Sequence, residues 1–313
     1  LLKKYSTNAP RYTSYPTAPV WSADFGPDDF AKALAKLNAQ KSAKLSLYFH
    51  IPFCKNRCRF CGCSTIITSH REVADRYIEA LTKEIAIVNN HLKSKPPVVQ
   101  LHFGGGTPTY LSCDQIKSLW HAIKSGFNLS TDAEIAIEAA PNVTTFEQLE
   151  LLGDLGFNRL SLGVQDFSPK VQEAIGRIES FDKISQLIEK SRHLCFKGVN
   201  IDLIYGLPFQ TLASFQATVE KVIKLSPDRV ACFNFAYLPK MLPHQRHLPK
   251  EALPLPSEKF AMFCQTIGQF GDAGYEFIGM DHFAKRDDEL AIAARGKTLW
   301  RNFQGYTTRA GTD

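Results

Sequence analysis

Strand-like and helix-like stretches alternate along this chain at intervals that leave few ways to fold it. Short runs rich in β-branched, aromatic and aliphatic residues lie at Leu45 to Pro52, Val98 to Phe103, Glu134 to Glu138, Arg159 to Val164, Val199 to Tyr205 and Arg229 to Tyr237. Bounded by Gly, Pro or Asp, they predict six strands. Between them apolar residues recur at three- and four-residue steps and predict helices over Glu72 to Lys93, Ser112 to Gly126, Thr144 to Leu155, Phe181 to Leu194 and Thr211 to Leu225. Ser112, Thr144 and Thr211 are the predicted caps, and Gln115 and Glu147 complete capping boxes for the first two. Successive strand starts are 25 to 53 residues apart. That is the spacing of repeated βαβ crossovers, which require parallel strands with helices outside. The chain is therefore α/β, either a barrel or an open doubly wound sheet. Both architectures bind ligands at the carboxyl ends of the strands, where this sequence places His50, Gly104 to Gly106, Glu138, Gln165, Pro208 and Ala236.

The flanks differ from this core. Tyr12 to Pro19 is expected to be ordered but irregular, and Leu238 to Pro256, with five prolines, to be a loop. A helix over Ser257 to Phe270 and a strand over Tyr275 to Met280 follow, and Arg301 to Asp313 reads as polar with no closing element.

With 313 residues, 44% of them hydrophobic and 22% charged, the chain can bury a core in one large domain or two smaller ones. No stretch reaches the roughly 18 apolar residues of a membrane span, and Leu1 to Pro10 lacks a secretory layout. The expectation is a cytoplasmic protein with no membrane partner. A net charge of +6, spread without long blocks, is too weak to argue for nucleic acid and would suit an anionic small molecule, so no nucleic-acid partner is expected. In that compartment eight cysteines are a poor disulfide framework. Cys113, Cys195, Cys232 and Cys264 stand alone and are expected to pack as small hydrophobes without a function.

The other four cysteines fall within ten residues, directly after the first strand. Cys54, Cys58 and Cys61 form C-x3-C-x2-C, three soft thiolates that can converge on one metal centre. A structural zinc would need a fourth ligand such as Cys63, His50 or His70, whereas an iron–sulfur cubane held by three cysteines keeps one iron open to a substrate or cofactor. After the second strand comes Gly104 to Pro108, GGGTP. It is either a plain turn or a stretch whose missing Cβ atoms let backbone amides approach a ligand.

The cysteine loop and GGGTP together resemble the radical S-adenosylmethionine enzymes. Arg11 to Thr17 (RYTSYPT), Tyr48 to Cys54 (YFHIPFC), Cys61 to Cys63, Gly163 to Phe167 (GVQDF), Asn200 to Pro208 (NIDLIYGLP), Gly279 to Ala284 (GMDHFA) and Arg301 to Thr308 (RNFQGYTT) narrow the resemblance to the oxygen-independent coproporphyrinogen III oxidase family. The resemblance implies a partial TIM barrel, (β/α)6, spanning 45–285. An N-terminal extension, 1–44, would pack on it, and 286–313 would begin a connection to a C-terminal helical domain absent from this chain. It further implies a [4Fe-4S] cluster on Cys54, Cys58 and Cys61, with Cys63 not a ligand, and two molecules of S-adenosylmethionine. Tyr48, Gly105 and Glu138 match contacts to the cluster-bound molecule; Phe60, Gly106, Thr107, Gln165, Arg177, Asp202 and Ala236 match contacts to the second. No side chain is assigned as a catalytic acid or base.

The family pattern E-x-D-P-R is replaced here by Glu138-Ala139-Ala140-Pro141-Asn142, which removes an acid and an Arg beside Glu138. The implied reaction is oxidative decarboxylation of two propionates of coproporphyrinogen III to vinyl groups through a 5′-deoxyadenosyl radical. It gives protoporphyrinogen IX for haem synthesis, in a monomer served by an unidentified reductant protein. Arg11, Arg301 and Arg309 are candidate partners for the substrate carboxylates. Two rivals are a related haem chaperone, whose loop lacks the trailing Gly-Cys present here, and a zinc-stabilised α/β binding protein.

Overall fold

The computed structural model describes residues 20–194 and 196–312. Arg11, the Arg11 to Thr17 piece, the Tyr12 to Pro19 segment and Cys195 lie outside the described residues. The chain opens with α1 (Pro27–Asn38), β1 (Leu45–Ile51), β2 (Phe53–Cys54), β3 (Ile66–Ile67), α2 (Glu72–His91), β4 (Pro97–Gly105), α3 (Cys113–Gly126) and β5 (Asn128–Ala139). It continues with α4 (Phe146–Leu155), β6 (Arg159–Gln165), α5 (Pro169–Ile175), α6 (Phe181–His193), β7 (Gly198–Tyr205), α7 (Leu212–Leu225) and β8 (Arg229–Asn234). The last elements are α8 (Pro256–Asp272), β9 (Tyr275–Gly279), β10 (His282–Lys285), α9 (Glu289–Arg295), β11 (Trp300–Asn302) and β12 (Gly305–Thr307).

The main sheet runs β1-β4-β5-β6-β7-β8-β10-β9. Its first six strands are all parallel; β10 runs antiparallel to β8, and β9, antiparallel to β10, points the same way as the first six. Six parallel strands in sequential order, joined by right-handed crossovers, carry their helices on one face. A doubly wound sheet would reverse its order partway, so the barrel reading holds. The sheet ends at β1 and β9 without joining, which makes the barrel incomplete.

The two faces divide the sequence by alternation. Leu45, Phe49, Ile51, Leu101, Phe103, Ile135, Ile137, Leu160 and Leu162 are buried under the helices. The alternate residues Gln100, His102, Glu138, Ser161, Asn200 and Asp202 line the concave interior. Register then levels the chemistry: Tyr48 pairs with His102, His50 with Gly104, Glu138 with Ser161 and Gly163 with Asp202.

Several details depart from the sequence reading. Helix α4 is capped by Thr145 with Gln148, one residue later than predicted, because Thr144 is buried and donates to Ala140 O at 2.9 Å. β5 starts earlier than the Glu134 to Glu138 run, with Asn128 and Leu129 pairing with β4 ahead of the polar Ser130 to Asp132. Cys232 packs in the core as expected, whereas Cys264 is exposed, on the solvent side of α8 between the buried Met262 and Thr266. Leu238 to Pro256 holds two short 3-10 turns, Pro243–His247 and Lys250–Ala252. The tail does form an element: β11 and β12 make a hairpin, with Asn302 Oδ1 accepting from the Gln304 and Gly305 amides in its turn. No helix among the described residues is long and apolar enough to cross a membrane.

Phe103 shows what holds the helices to the sheet. It is fully buried on β4 and meets Phe49 and Phe157 edge-on at 5.6 and 5.2 Å. Phe103→Ala is expected to cost about 3 to 5 kcal/mol through lost burial and the cavity left behind. Urea unfolding monitored by circular dichroism measures it, and a loss below about 1 kcal/mol would contradict this packing account.

Candidate active site

The cysteine loop leaves β1 through Pro52 and β2 and returns at β3, which pairs with β2 as Phe53 with Ile66 and Cys54 with Ile67. That small ladder closes the loop carrying Cys58, Cys61 and Cys63. Two backbone hydrogen bonds continue the β1–β4 ladder past the strand ends: Gly106 N donates to Ile51 O at 2.8 Å and Thr107 N to Phe53 O at 2.9 Å. A Cβ on Gly106 would lie 2.6 Å from Pro52 O, so this approach requires glycine. Gly105, at φ +117°, lies where L side chains are strained. GGGTP is thus fastened to the cysteine loop, and Thr107 Oγ1 stands 3.4 Å from Cys54 Sγ.

Other elements grip the loop from the sides. Arg59 donates through its amide to Ile175 O and through Nη1 to Ala174 O, both at 2.9 Å, satisfying carbonyls at the end of α5. The Gln245 amide, itself buried, donates to Phe60 O at 3.1 Å and to Ala236 O at 3.2 Å. His244 Nε2 meets Cys61 O at 2.7 Å.

Between loop and strand ends lies a cavity of about 330 Å³. All three candidate metal ligands, Cys54, Cys58 and Cys61, line it, together with Phe60, Gly105, Gly106, Thr107, Glu138, Gln165, Arg177 and Asp202. Tyr48 and Ala236 do not. Tyr48 stacks on His102 at 5.8 Å beside Gly104, and Ala236 is an exposed residue tied to Phe60 through Gln245. Arg309 donates to Asp132 O in the first half of β5, the opposite end from the cavity, so its sequence-based role toward substrate is set aside. Arg301 stacks over the Tyr306 ring at 4.5 Å.

The side chains around the cavity are held by one another. Glu138 meets His102 Nε2 at 3.1 Å through Oε1 and accepts from the Gly105 amide at 3.2 Å through Oε2. These contacts supply the local support that the Ala139-Ala140-Pro141-Asn142 sequence lacks. Asp202 accepts from Asn200 Nδ2 at 2.7 Å. Burial, then the nearby charge of Glu138, pushes the Asp202 carboxyl up to about 7. Arg177 donates to Gly163 O at 2.6 Å and pairs with Glu179 at 3.0 Å. Burial raises Glu179 to about 7 even against that pairing. Gln165 ends β6 with φ +72°, a strained conformation for a residue with a Cβ, held where it borders the cavity. Asp166 next to it, fully buried, accepts from Ser168 N at 2.5 Å and Gln210 Nε2 at 2.6 Å, which locks the loops after β6 and β7 together.

The donor set fits an iron–sulfur cluster better than a zinc ion. Both ring nitrogens of His50 are engaged, by Tyr48 Oη at 3.1 Å and Ser64 O at 2.9 Å, and His70 meets Glu72 at 3.1 Å on the surface. Neither supplies a fourth ligand. Among the described residues no three His, Cys, Asp or Glu converge as tightly as a single ion requires. Three sulfurs instead border an open cavity suited to a larger, sulfur-loving group. Burial raises the Cys54 and Cys58 thiols, and Arg177 works against it. Cys63 N donates to Cys61 Sγ at 3.4 Å, and the contact between the two side chains lowers the Cys61 thiol and raises that of Cys63.

His102, Asn200, Asp166, Glu179, Arg59 and Gln245 were not foreseen. Strand alternation contained the signal for two of them. His102 shares a face with Gly104, and Asn200 with Asp202. Gln245 and Arg59 act through backbone groups far away in sequence, for which no local pattern exists.

The Radical SAM superfamily profile matches residues 48–222. The chain is 49% identical over its whole length to the oxygen-independent coproporphyrinogen III oxidase of Synechocystis sp., of which it covers 67%. To the enzyme of that name from Escherichia coli it is 47% identical, covering 68%. The solved coproporphyrinogen III oxidase of Escherichia coli, described as a radical SAM enzyme, superposes with a TM-score of 0.94 at 46% identity, over 100% of this chain and 70% of that one.

The raised Asp202 carboxyl has a consequence for pH. The folded chain keeps a proton on it that the unfolded chain releases near pH 4. This residue's contribution to stability is therefore fully present below about pH 4 and is lost as pH rises toward 7. Asp202→Asn is expected to gain stability over the unaltered protein at pH 8 relative to pH 5, measured by thermal melting of cofactor-free protein; parallel melting curves at the two pH values would refute it.

Proposed function

This chain belongs to the oxygen-independent coproporphyrinogen III oxidase family of the radical S-adenosylmethionine superfamily, and from that premise we propose that it oxidatively decarboxylates two propionates of coproporphyrinogen III to the vinyl groups of protoporphyrinogen IX. The observation that carries the reading is the single cavity bordered by three cysteines, the glycine loop and strand-end carboxylates and Arg. Cys54, Cys58 and Cys61 would hold a [4Fe-4S] cluster. Bound cluster and S-adenosylmethionine supply the one-electron chemistry that removes hydrogen from the propionate β-carbon.

The chain's own residues bind, orient and shield. The backbone at Gly105 can approach a cluster-bound S-adenosylmethionine because no Cβ intervenes. Glu138, fixed by His102 and the Gly105 amide, presents a carboxylate to ammonium or ribose hydroxyls, and Tyr48 backs it through His102. A second S-adenosylmethionine is proposed against Phe60, Gly106, Thr107, Gln165, Arg177, Asp202 and Ala236. Arg177, oriented by Glu179, suits its carboxylate, and Asp202 its hydroxyls. With no side chain required as acid or base, the protein's work is positioning and exclusion of water and oxygen.

The proposed organisation is a catalytic barrel over 45–285, an extension before it and a connection from 286 onward; the chain spans about two thirds of its relatives' length. A cytoplasmic monomer served by a reductant protein completes the reading.

Anaerobically reconstituted full-length protein is expected to hold about four irons and to convert coproporphyrinogen III only with S-adenosylmethionine and a reductant. Cys58→Ala is expected to lose most of that iron, whereas Cys264→Ala keeps it. Stoichiometric zinc without iron, or tight haem binding without turnover, would overturn the assignment.

A further inference from the structure

The chain's surplus of positive charge is not spread evenly in space. Residues 52–67, which contain the cysteine loop, include Lys55, Arg57 and Arg59 and no acid. Two other segments adjoin that loop. Residues 168–176 accept the Arg59 hydrogen bonds and carry Lys170 and Glu173. Residues 237–253, joined through His244 and Gln245, carry Lys240, Arg246, Lys250 and Glu251. Phe209 bridges the second and third segments: Lys170 lies over its ring at 4.4 Å, and its N donates to Ala252 O at 2.8 Å. The three segments therefore form one continuous face around the outside of the cysteine loop. Its seven Lys and Arg are all exposed and outnumber its glutamates by five, in a chain whose total surplus is six. Met241, in the third segment, is 77% exposed and adds an apolar side chain to this charged face.

We propose that this face docks an acidic one-electron carrier protein that reduces the cluster. The inference rests on the functional reading above, since each reaction cycle that begins by reductive cleavage needs one electron delivered to the metal held by Cys54, Cys58 and Cys61. The cysteine loop itself is the surface layer there. Complementary charge concentrates a partner at such a face and orients it on encounter, and an exposed Met is an adaptable contact surface. The cavity behind the loop takes only part of this charge: Lys55 and Arg57 border it together with Glu138 and Asp202, and Arg177 there is already paired with Glu179. Lys170, Lys240, Arg246 and Lys250 are exposed and do not border it, so they offer positive charge to a macromolecule beyond what a substrate in the cavity would need.

The test uses iron-loaded full-length enzyme and, as probe, a reduced acidic plant-type [2Fe–2S] ferredoxin. Lys170→Glu, Lys240→Glu and Lys250→Glu are combined in one variant, none of them bordering the cavity. The ferredoxin Kd by titration calorimetry is expected to rise about tenfold or more and to lose most of its salt dependence. Ferredoxin-driven cleavage of S-adenosylmethionine should fall in parallel, while iron content and dithionite-driven cleavage stay unchanged. The matching triple Lys→Arg variant should keep the original affinity. An unchanged ferredoxin Kd would overturn the proposal. So would a loss of dithionite-driven coproporphyrinogen turnover with ferredoxin binding intact, which would give the face to the tetracarboxylate. Ferredoxin-independent capture of a single-stranded oligonucleotide at the same lysines, with ferredoxin unbound, would give it to nucleic acid. Failure of the unaltered enzyme to cleave S-adenosylmethionine with dithionite would remove the functional reading itself; failure confined to ferredoxin leaves that reading standing.

Discussion

The two amide bonds that carry the β1–β4 ladder past its strand ends, from Gly106 to Ile51 and from Thr107 to Phe53, set the geometry on which the site depends. They bring the glycine loop within a few ångströms of the cysteine loop and leave no room for a side chain at Gly106. A backbone amide left without a partner at that depth costs as much as a lost hydrogen bond, so the join resists local opening. Cys54 beside Thr107, Glu138 beneath Gly105 and the mouth of the cavity all take their positions from it.

The charges in the cavity are arranged by burial as much as by pairing. Glu179 keeps a raised affinity for its proton although an Arg touches it, because it has been withdrawn from water. Asp202 is raised by burial and by Glu138, its neighbour across the cavity. An arriving cation or hydroxyl-rich ligand would relieve the penalty at Asp202, which borders the cavity, while Glu179 stays behind Arg177. The polar interior therefore costs stability in the empty chain and favours the ligand-bound one.

The fold was legible because its signal is periodic. Apart from the start of β5, which lies at Asn128 and not at Glu134, the six apolar runs and the predicted helices between them could be read to within a few residues, and the cap at Thr145 was displaced by only one. The ligand set of the site was legible for a different reason: Cys54, Cys58, Cys61 and GGGTP are compact motifs, and the strand-end residues Glu138, Gln165 and Asp202 follow from strand direction. What stayed hidden are contacts without local pattern. Gln245 reaches two carbonyls of distant segments, Arg59 caps a seven-residue helix too short to show periodicity, and Asp166 joins two loops across a strand boundary. The closing hairpin was missed because its residues are polar and find their partners 200 residues back along the chain, as Thr307 does with Gln100.

That hairpin bears on the order in which the molecule comes into being. Phe303 sits edge-on against Tyr48 at 5.3 Å, and Thr307 reaches Gln100 on β4, so its contacts span most of the sequence. Contacts of such separation close last, because the intervening chain must first be ordered. During synthesis the cysteine loop emerges early, but the strand behind it acquires its aromatic backing only after residue 303 has followed. The hairpin therefore closes over a sheet whose cysteine loop is already fastened through Gly106 and Thr107, so the first strands of the chain are completed by its last ones.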